Sequence, residues 1–274
     1  MTKSQINKLG DHLRHEPLDE VKLARLQEFR ARFSAPMLKV QTALSERMAL
    51  ETTARLKTVN TTIGKLRRDQ TRLAEVQDIA GVRIVGDWTL DEQDAIVAQI
   101  VELFPGARVH DRRRSPSHGY RAVHVIPVVD DCSVEIPVRT HVQDGWAQTM
   151  EKLADIVGRE IRYGGMPAGE DAETLKLLVN EMLGISQSFA IYETFRTRVR
   201  EVRAKMAVME AAVRDGTVTG EEAAALTDRL DRMRARMPEV DAKEKEASEV
   251  TRRLMADISA LVDGIIGGEG RDGA

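Results

Sequence analysis

Asp78-Ile79-Ala80-Gly81-Val82-Arg83-Ile84-Val85 sets a carboxylate just ahead of a β-branched run in which Arg83 alternates with Val82 and Ile84. Alternation of period two predicts a strand over 82–85, with the aliphatic side chains entering a core and Arg83 on the opposite face, directed at a cleft. A second block of similar construction follows far downstream, Glu135-Ile136-Pro137-Val138-Arg139-Thr140, where an acid again opens an apolar run and an Arg lies four residues on. Two neighbouring strands of this design would deliver acid and base to one cleft. Between them stands Ser117-His118-Gly119-Tyr120-Arg121-Ala122-Val123-His124. The same period puts Tyr120, Ala122 and His124 on one strand face and Glu135, Pro137 and Arg139 on one face of the next, leaving Val123, Val125, Ile136 and Val138 for the core.

Outward from these blocks, Leu18 to about Leu56 reads as helices interrupted at Ser34-Ala35-Pro36. In the centre, Thr89-x-x-Glu92 is a capping box opening a helix with Ile96, Val97, Ile100 and Leu103 on one face, and Pro105-Gly106 ends it. Val123 to Val129 and Ser133 to Val138, joined by Asp130-Asp131, predict an antiparallel hairpin, followed by a helix through Trp146 and Leu153. Beyond Gly164-Gly165-Met166-Pro167 the pattern becomes long helices. Val199, Val202, Met206, Met209 and Val213 form one stripe before Asp215-Gly216; Thr219-x-x-Glu222 caps a second with Leu226, Leu230, Met233 and Met237; Pro238 ends it before Val250, Leu254, Ile258 and Leu261. The stripes read as packing seams between three antiparallel helices. The expectation is an α/β (α+β) protein with a mixed β-sheet: an N-terminal helical segment over 1–50, a central domain over 51–165, a C-terminal helical extension over 170–266 and a mobile tail from 267.

With 274 residues, 42% hydrophobic and 31% charged, the chain can bury a sizeable core. The single Cys132 cannot form an internal disulfide and reads as a small buried hydrophobe, which suits a reducing, cytoplasmic setting. No stretch resembles a signal peptide or reaches the roughly 20 apolar residues of a membrane span. The net charge of −3 conceals local asymmetry. Arg55, Lys57, Lys65, Arg67, Arg68 and Arg72 stand against Asp69 alone, and Arg108, Arg112, Arg113, Arg114 and Arg121 against Asp111 alone. Either block by itself would be an ordinary solvated face. Because both flank the acid-bearing blocks, they point to a polyanionic substrate.

Arg55-x-Lys57-x-x-x-Thr61-x-x-x-Lys65 places two cations before a predicted helix start, where Asn60 or Thr61 can cap and free backbone N–H groups can meet phosphate. This element, the Asp-x-x-Gly-x-Arg strand, the Gly-Tyr segment and the Glu-Ile-x-x-Arg-Thr strand, taken in order over residues 45–160, resemble the synthetase domain of the RelA/SpoT family. The resemblance implies a nucleotidyltransferase-like synthetase fold and transfer of pyrophosphate from ATP to a ribose 3′-hydroxyl. It implies that Arg55 contacts adenine and that Lys57 and Lys65 bind phosphates, with Thr61 keeping the hydroxyl of the family's Ser. It makes Asp78 a Mg²⁺ ligand and Glu135 the carboxylate that binds Mg²⁺ and activates the hydroxyl. Arg83 joins the ATP site, with an ion pair to Asp78 as its structural alternative. Tyr120 would stack on the acceptor base, with Arg121, His124 and Arg139 as further acceptor contacts.

Departures from the family pattern fall on the acceptor side. Pro116-Ser117-His118-Gly119-Tyr120 stands where many guanosine-nucleotide synthetases have Lys-x-Asn-Gly-Tyr, Pro137 replaces a Gln, and Met150-Glu151 replaces a Glu-His pair. The leading expectation is a small, synthesis-only enzyme acting on GDP or GTP to give a (p)ppGpp-type alarmone and AMP. The alternative within the family is a toxin that pyrophosphorylates the 3′-terminal adenosine of tRNA, with Arg112, Arg113 and Arg114 on acceptor-stem phosphates. A non-catalytic nucleotide sensor is a third reading, disfavoured by retention of both Asp78 and Glu135. The C-terminal helices are left for self-association, inhibition or binding of a neutralising antitoxin.

Overall fold

The computed structural model describes residues 1–168 and 172–269, and the chain in it forms two compact units. Their segments interleave: 1–86, 94–115 and 122–139 make the first, while 87–93, 116–121 and the chain from Thr140 onward make the second.

In the first unit α1 (Lys3–His15), α2 (Glu20–Ala31) and α3 (Ser34–Met48) precede β1 (Thr52–Leu56), α4 (Val59–Asp69) and β2 (Ala80–Gly86). The chain then runs through α5 (Leu90–Leu103), β3 (Arg108–Asp111), β4 (Val123–Ile126), β5 (Val128–Val129) and β6 (Cys132–Thr140). Among the described residues six strands form a mixed sheet in the order β1-β2-β6-β4-β3, with β5 paired to β6. β2, which follows Asp78, and β6, which carries Glu135, are therefore neighbours. Their apolar alternation is realised, since Val82, Ile84, Val134, Ile136 and Val138 are buried. Leu13, Leu26, Leu44, Leu66 and Ile100 bring the helices into the same core. Asp130 and Asp131 close the hairpin between β5 and β6 with φ of 47° and 60°, the double left-handed turn that matches the twist of paired strands.

One expectation for this region is corrected, and the structure adds detail at two further places. Thr52–Leu56 is an edge strand rather than the end of a helix, paired antiparallel with β2 through Arg55↔Gly81 and Thr53↔Arg83. The charged stretch at 108–111 is the opposite edge strand, pairing with β4. The extreme N-terminus is helical: Thr2 and Gln5 form a capping box, and Ile6, Leu9 and Leu13 share a buried face. Cys132 is buried, as expected.

The second unit is helical. Thr140 and Gln143 cap α6 (His141–Val157) reciprocally, and α7 (Ala172–Arg214) and α8 (Gly220–Glu269) follow. Its core gathers Trp146, Met150 and Leu153 of α6, Val179, Met182 and Phe189 of α7, and Val262 of α8, with Leu254 and Ile258 against them. Gly216, at φ 71°, lies in the turn after α7 where Asp215-Gly216 predicted a break. Pro238 does not end a helix. It sits inside the 50 residues of α8, so among the described residues two long helices stand where three were expected. One lost N–H and a local clash cost roughly 3 kcal/mol, which helix on both sides and packing against α7 outweigh. Of the tail expected to be mobile from 267, the backbone through Glu269 continues α8, and 270–274 lie outside the described residues. Among the described residues no helix is long and apolar enough to cross a membrane.

Candidate active site

The ends of β1 and α4 and the approach to β2 converge on Asp78. Thr58, not Asn60 or Thr61, caps α4: its hydroxyl accepts the Thr61 N–H at 3.2 Å, and the Thr61 hydroxyl donates to the Thr58 carbonyl at 3.0 Å. Arg30 of α2 donates to the Lys57 carbonyl at 2.7 Å, and Arg14 of α1 donates to the carbonyls of Leu66 and Thr71 at 3.2 and 2.5 Å. The N-terminal helices thus fix both ends of the segment that carries the two lysines.

Lys57 and Lys65 donate to the same oxygen of Asp78, Oδ2, at 2.6 and 2.9 Å. Asp78 Oδ1 is buried and, among the described residues, has no hydrogen-bond partner. Burial works to raise the pKa of this carboxyl, yet the charges of Lys57 and Lys65 and their hydrogen bonds hold it below its ordinary value. On β6, Glu135 Oε1 meets Nδ1 of His124 at 2.6 Å. His124 pairs in register with Pro137, so the contact is the diagonal one between same-face neighbours. Burial raises the Glu135 pKa and Asp78 raises it further, but the His124 hydrogen bond, the His124 charge and Lys65 carry the net shift downward. The two carboxylates and the lysines therefore share one field.

The face of the sheet that carries these groups is polar across five strands. Arg55 is exposed opposite Gly81, Arg83 stands two residues along β2 opposite Thr53, and His110 of β3 lies opposite His124. A Cβ on Gly81 would lie 3.8 Å from the Glu135 carbonyl oxygen and 4.0 Å from that of Arg55. The fold itself leaves room for a methyl there. Arg139, at the far end of β6, is buried at 8% exposure.

Residues 54–154 match the region found in RelA / SpoT proteins. The central part of the chain is thus similar to the region shared by RelA and SpoT proteins. The chain is 38% identical over 177 residues to the uncharacterized protein Rv1366 of Mycobacterium tuberculosis, an alignment that takes in 61% of this chain and 65% of the relative's length. Among solved structures it is similar to small alarmone synthetase 1 from Bacillus subtilis, at 22% identity and a TM-score of 0.44 over 67% of this chain and 100% of that one. A GTP pyrophosphokinase family protein from Streptococcus pneumoniae is similar at 18% identity and a TM-score of 0.41, over 65% of this chain and 89% of that one.

The departures from the RelA/SpoT pattern have local explanations. His118 and Gly119 have φ of 49° and 82°, and Ser117 and Tyr120 exchange backbone hydrogen bonds at 3.3 and 3.0 Å. His is among the few side chains that accept the left-handed region, so His-Gly keeps the turn that Asn-Gly would make. Met150 is a core residue of the helical unit, and Glu151 pairs with Arg162 at 3.3 Å.

Tyr120 and Arg121 belong to the helical unit, where Tyr120 packs against the Trp146 cluster and Arg121 lies 3.8 Å from Glu193. Tyr120 precedes β4 rather than lying within it, which corrects the strand alternation expected from 120 to 124. The block Arg112-Arg113-Arg114 is divided. Arg113 is tied to Asp111 at 2.8 Å and to Asp94, while Arg112 and Arg114 are exposed. Thr58, Arg14, Arg30 and Glu193 join these contacts without having been expected from the sequence. Only Thr58 carried a readable signal, a threonine three residues ahead of Thr61.

Proposed function

We propose that the chain is an ATP-dependent pyrophosphokinase that acts on the ribose 3′-hydroxyl of GDP or GTP. The ribose oxygen forms a bond to the β-phosphorus of ATP, the bond from that phosphorus to the α-phosphate oxygen breaks, AMP departs, and the product is a (p)ppGpp-type alarmone. The observation that carries this reading is the pairing of two lysines with one Asp78 oxygen beside a second ionised carboxylate, Glu135, within a RelA/SpoT region.

Lys57 and Lys65 compensate phosphate charge and orient the triphosphate, with Arg55 and Arg83 on the same sheet face for the rest of ATP. Glu135, ionised at neutral pH and aimed by His124, orients the attacking hydroxyl and takes its proton as the new bond forms. The buried, unpartnered Oδ1 of Asp78 suits a cation ligand. Asp78 and Glu135 supply the one or two carboxylates by which Mg²⁺ is ordinarily held beside substrate phosphates. When bound by Asp78 and Glu135, Mg²⁺ would neutralise charge developing on the transferred group. The exposed Arg112 and Arg114 favour a second reading, transfer to the 3′-terminal adenosine of tRNA.

The test is one assay with γ-labelled ATP offered GDP, GTP and deacylated tRNA in parallel. Label should pass to a guanine nucleotide with AMP released in equal amount. Asp78→Ala and Glu135→Ala should each lower turnover by at least about 10²-fold while the circular dichroism spectrum is kept. Label passing to tRNA alone selects the second reading. Near-wild-type turnover in either folded variant overturns the assignment of the site.

A further inference from the structure

The loop that carries Tyr120 is built into the helical unit from three sides. Trp146 of α6 lies beneath Gly119, so that a Cβ there would come within 2.6 Å of the indole ring. The indole is itself held, its N–H donating to the Met182 carbonyl of α7 at 2.7 Å. Ser186 of α7 donates its hydroxyl to the Gly119 carbonyl at 2.5 Å. Glu193 of α7 faces Arg121 at 3.8 Å and also accepts from the Thr140 hydroxyl at 2.5 Å and from the Gln143 amide at 2.8 Å.

Ser186 and Glu193 are seven residues apart, two helical turns, and so lie on one stripe of α7. They engage the residues immediately before and after Tyr120. Glu193 is 3% exposed. Burying a carboxylate costs desolvation that well-packed apolar residues would avoid, so its presence beside Arg121 calls for a role in fixing geometry.

We propose that Ser186 and Glu193 are positioning residues for acceptor recognition, and that α7, outside the RelA/SpoT region of the sequence, sets acceptor affinity by holding Tyr120 between them. The inference rests on the reading of the chain as a pyrophosphokinase whose acceptor is contacted by the Tyr120 loop. In full-length protein, Glu193→Gln keeps the acceptor oxygen for Thr140 and removes the charge facing Arg121. Ser186→Ala removes the donor to Gly119, and Ser186→Thr restores it.

Steady-state kinetics with whichever of GDP, GTP or deacylated tRNA the wild type uses should show the acceptor KM raised about tenfold in Glu193→Gln and Ser186→Ala, the scale of one hydrogen bond to a charged group or one orphaned carbonyl. KM for ATP should stay within about twofold of wild type, since the loosened loop carries none of the residues assigned to ATP. Ser186→Thr should recover the wild-type acceptor KM. Hydrogen exchange without substrate should quicken in peptides covering 116–121 and not in those covering 78–86. An active wild type whose variants leave the acceptor KM unmoved, or raise both KM values in parallel, overturns this inference alone. A wild type inactive with every acceptor overturns the proposed function and the acceptor role with it, and unchanged exchange at 116–121 then also removes the positioning claim.

Discussion

Asp78 gives one oxygen to two lysines, and their pull on its ionised form outweighs the burial of the other oxygen without a partner. Its folded pKa lies below the ordinary 3.8, and the corresponding stability is complete above that value and lost as pH falls through the lower folded one. Asp78→Asn should therefore melt below the wild type near neutrality, with the difference shrinking as pH drops below about 4; a constant gap across the acid range would show that the pairing contributes nothing. Gly81 makes a different case, because its position would accept a methyl at ordinary contact distances. A strand glycine that the fold does not need marks a place where something else approaches the backbone. Gly81→Ala should keep its melting temperature and raise KM for ATP by the order of tenfold, about 1.4 kcal/mol; an unchanged KM would mean that no ligand lies over β2. The acids of this site stand out by their place ahead of apolar runs, whereas its lysines are set apart from an ordinary basic helix only by the resemblance to the RelA/SpoT pattern. The cap at Thr58 could not be singled out, since Thr58, Asn60 and Thr61 are all competent, and the His124–Glu135 bond required a strand register.

At the scale of elements, the central strands announced themselves through alternation and the edge strands did not. β1 and β3 border the sheet, each pairs on one side only, and their residues include the exposed Arg55, Arg108 and His110. Charge on an edge protects against unwanted pairing and at the same time removes the apolar pattern by which a strand is read. The long helices hid their extent for another reason: proline ordinarily stops a helix, and α8 continues through Pro238. Pro238→Ala should raise the unfolding free energy of the helical unit by the order of 1–3 kcal/mol, followed in urea by circular dichroism at the helix band. A fall in stability instead would show that the ring fills a specific place against its surroundings.

For the molecule as a whole, the distribution of exposed cations decides between a mononucleotide and a nucleic-acid acceptor. Arg113 is already held by Asp111 and Asp94, so the informative variant is Arg112→Ala/Arg114→Ala rather than removal of all three. If tRNA is the acceptor, every phosphate that the variant no longer neutralises should flatten the dependence of log affinity on log salt by about 0.7–0.9. An unchanged slope removes these arginines from any docking surface. The interleaving of the two units bears on a different matter, the order in which the chain leaves the ribosome. Every residue of the carboxylate-bearing unit is synthesised by Arg139, whereas 116–121 must wait for the helices that begin at His141. Ser186 and Glu193 emerge later still. A nascent or prematurely released chain thus holds every residue of the carboxylate-bearing unit before the Tyr120 loop has its helices to rest on.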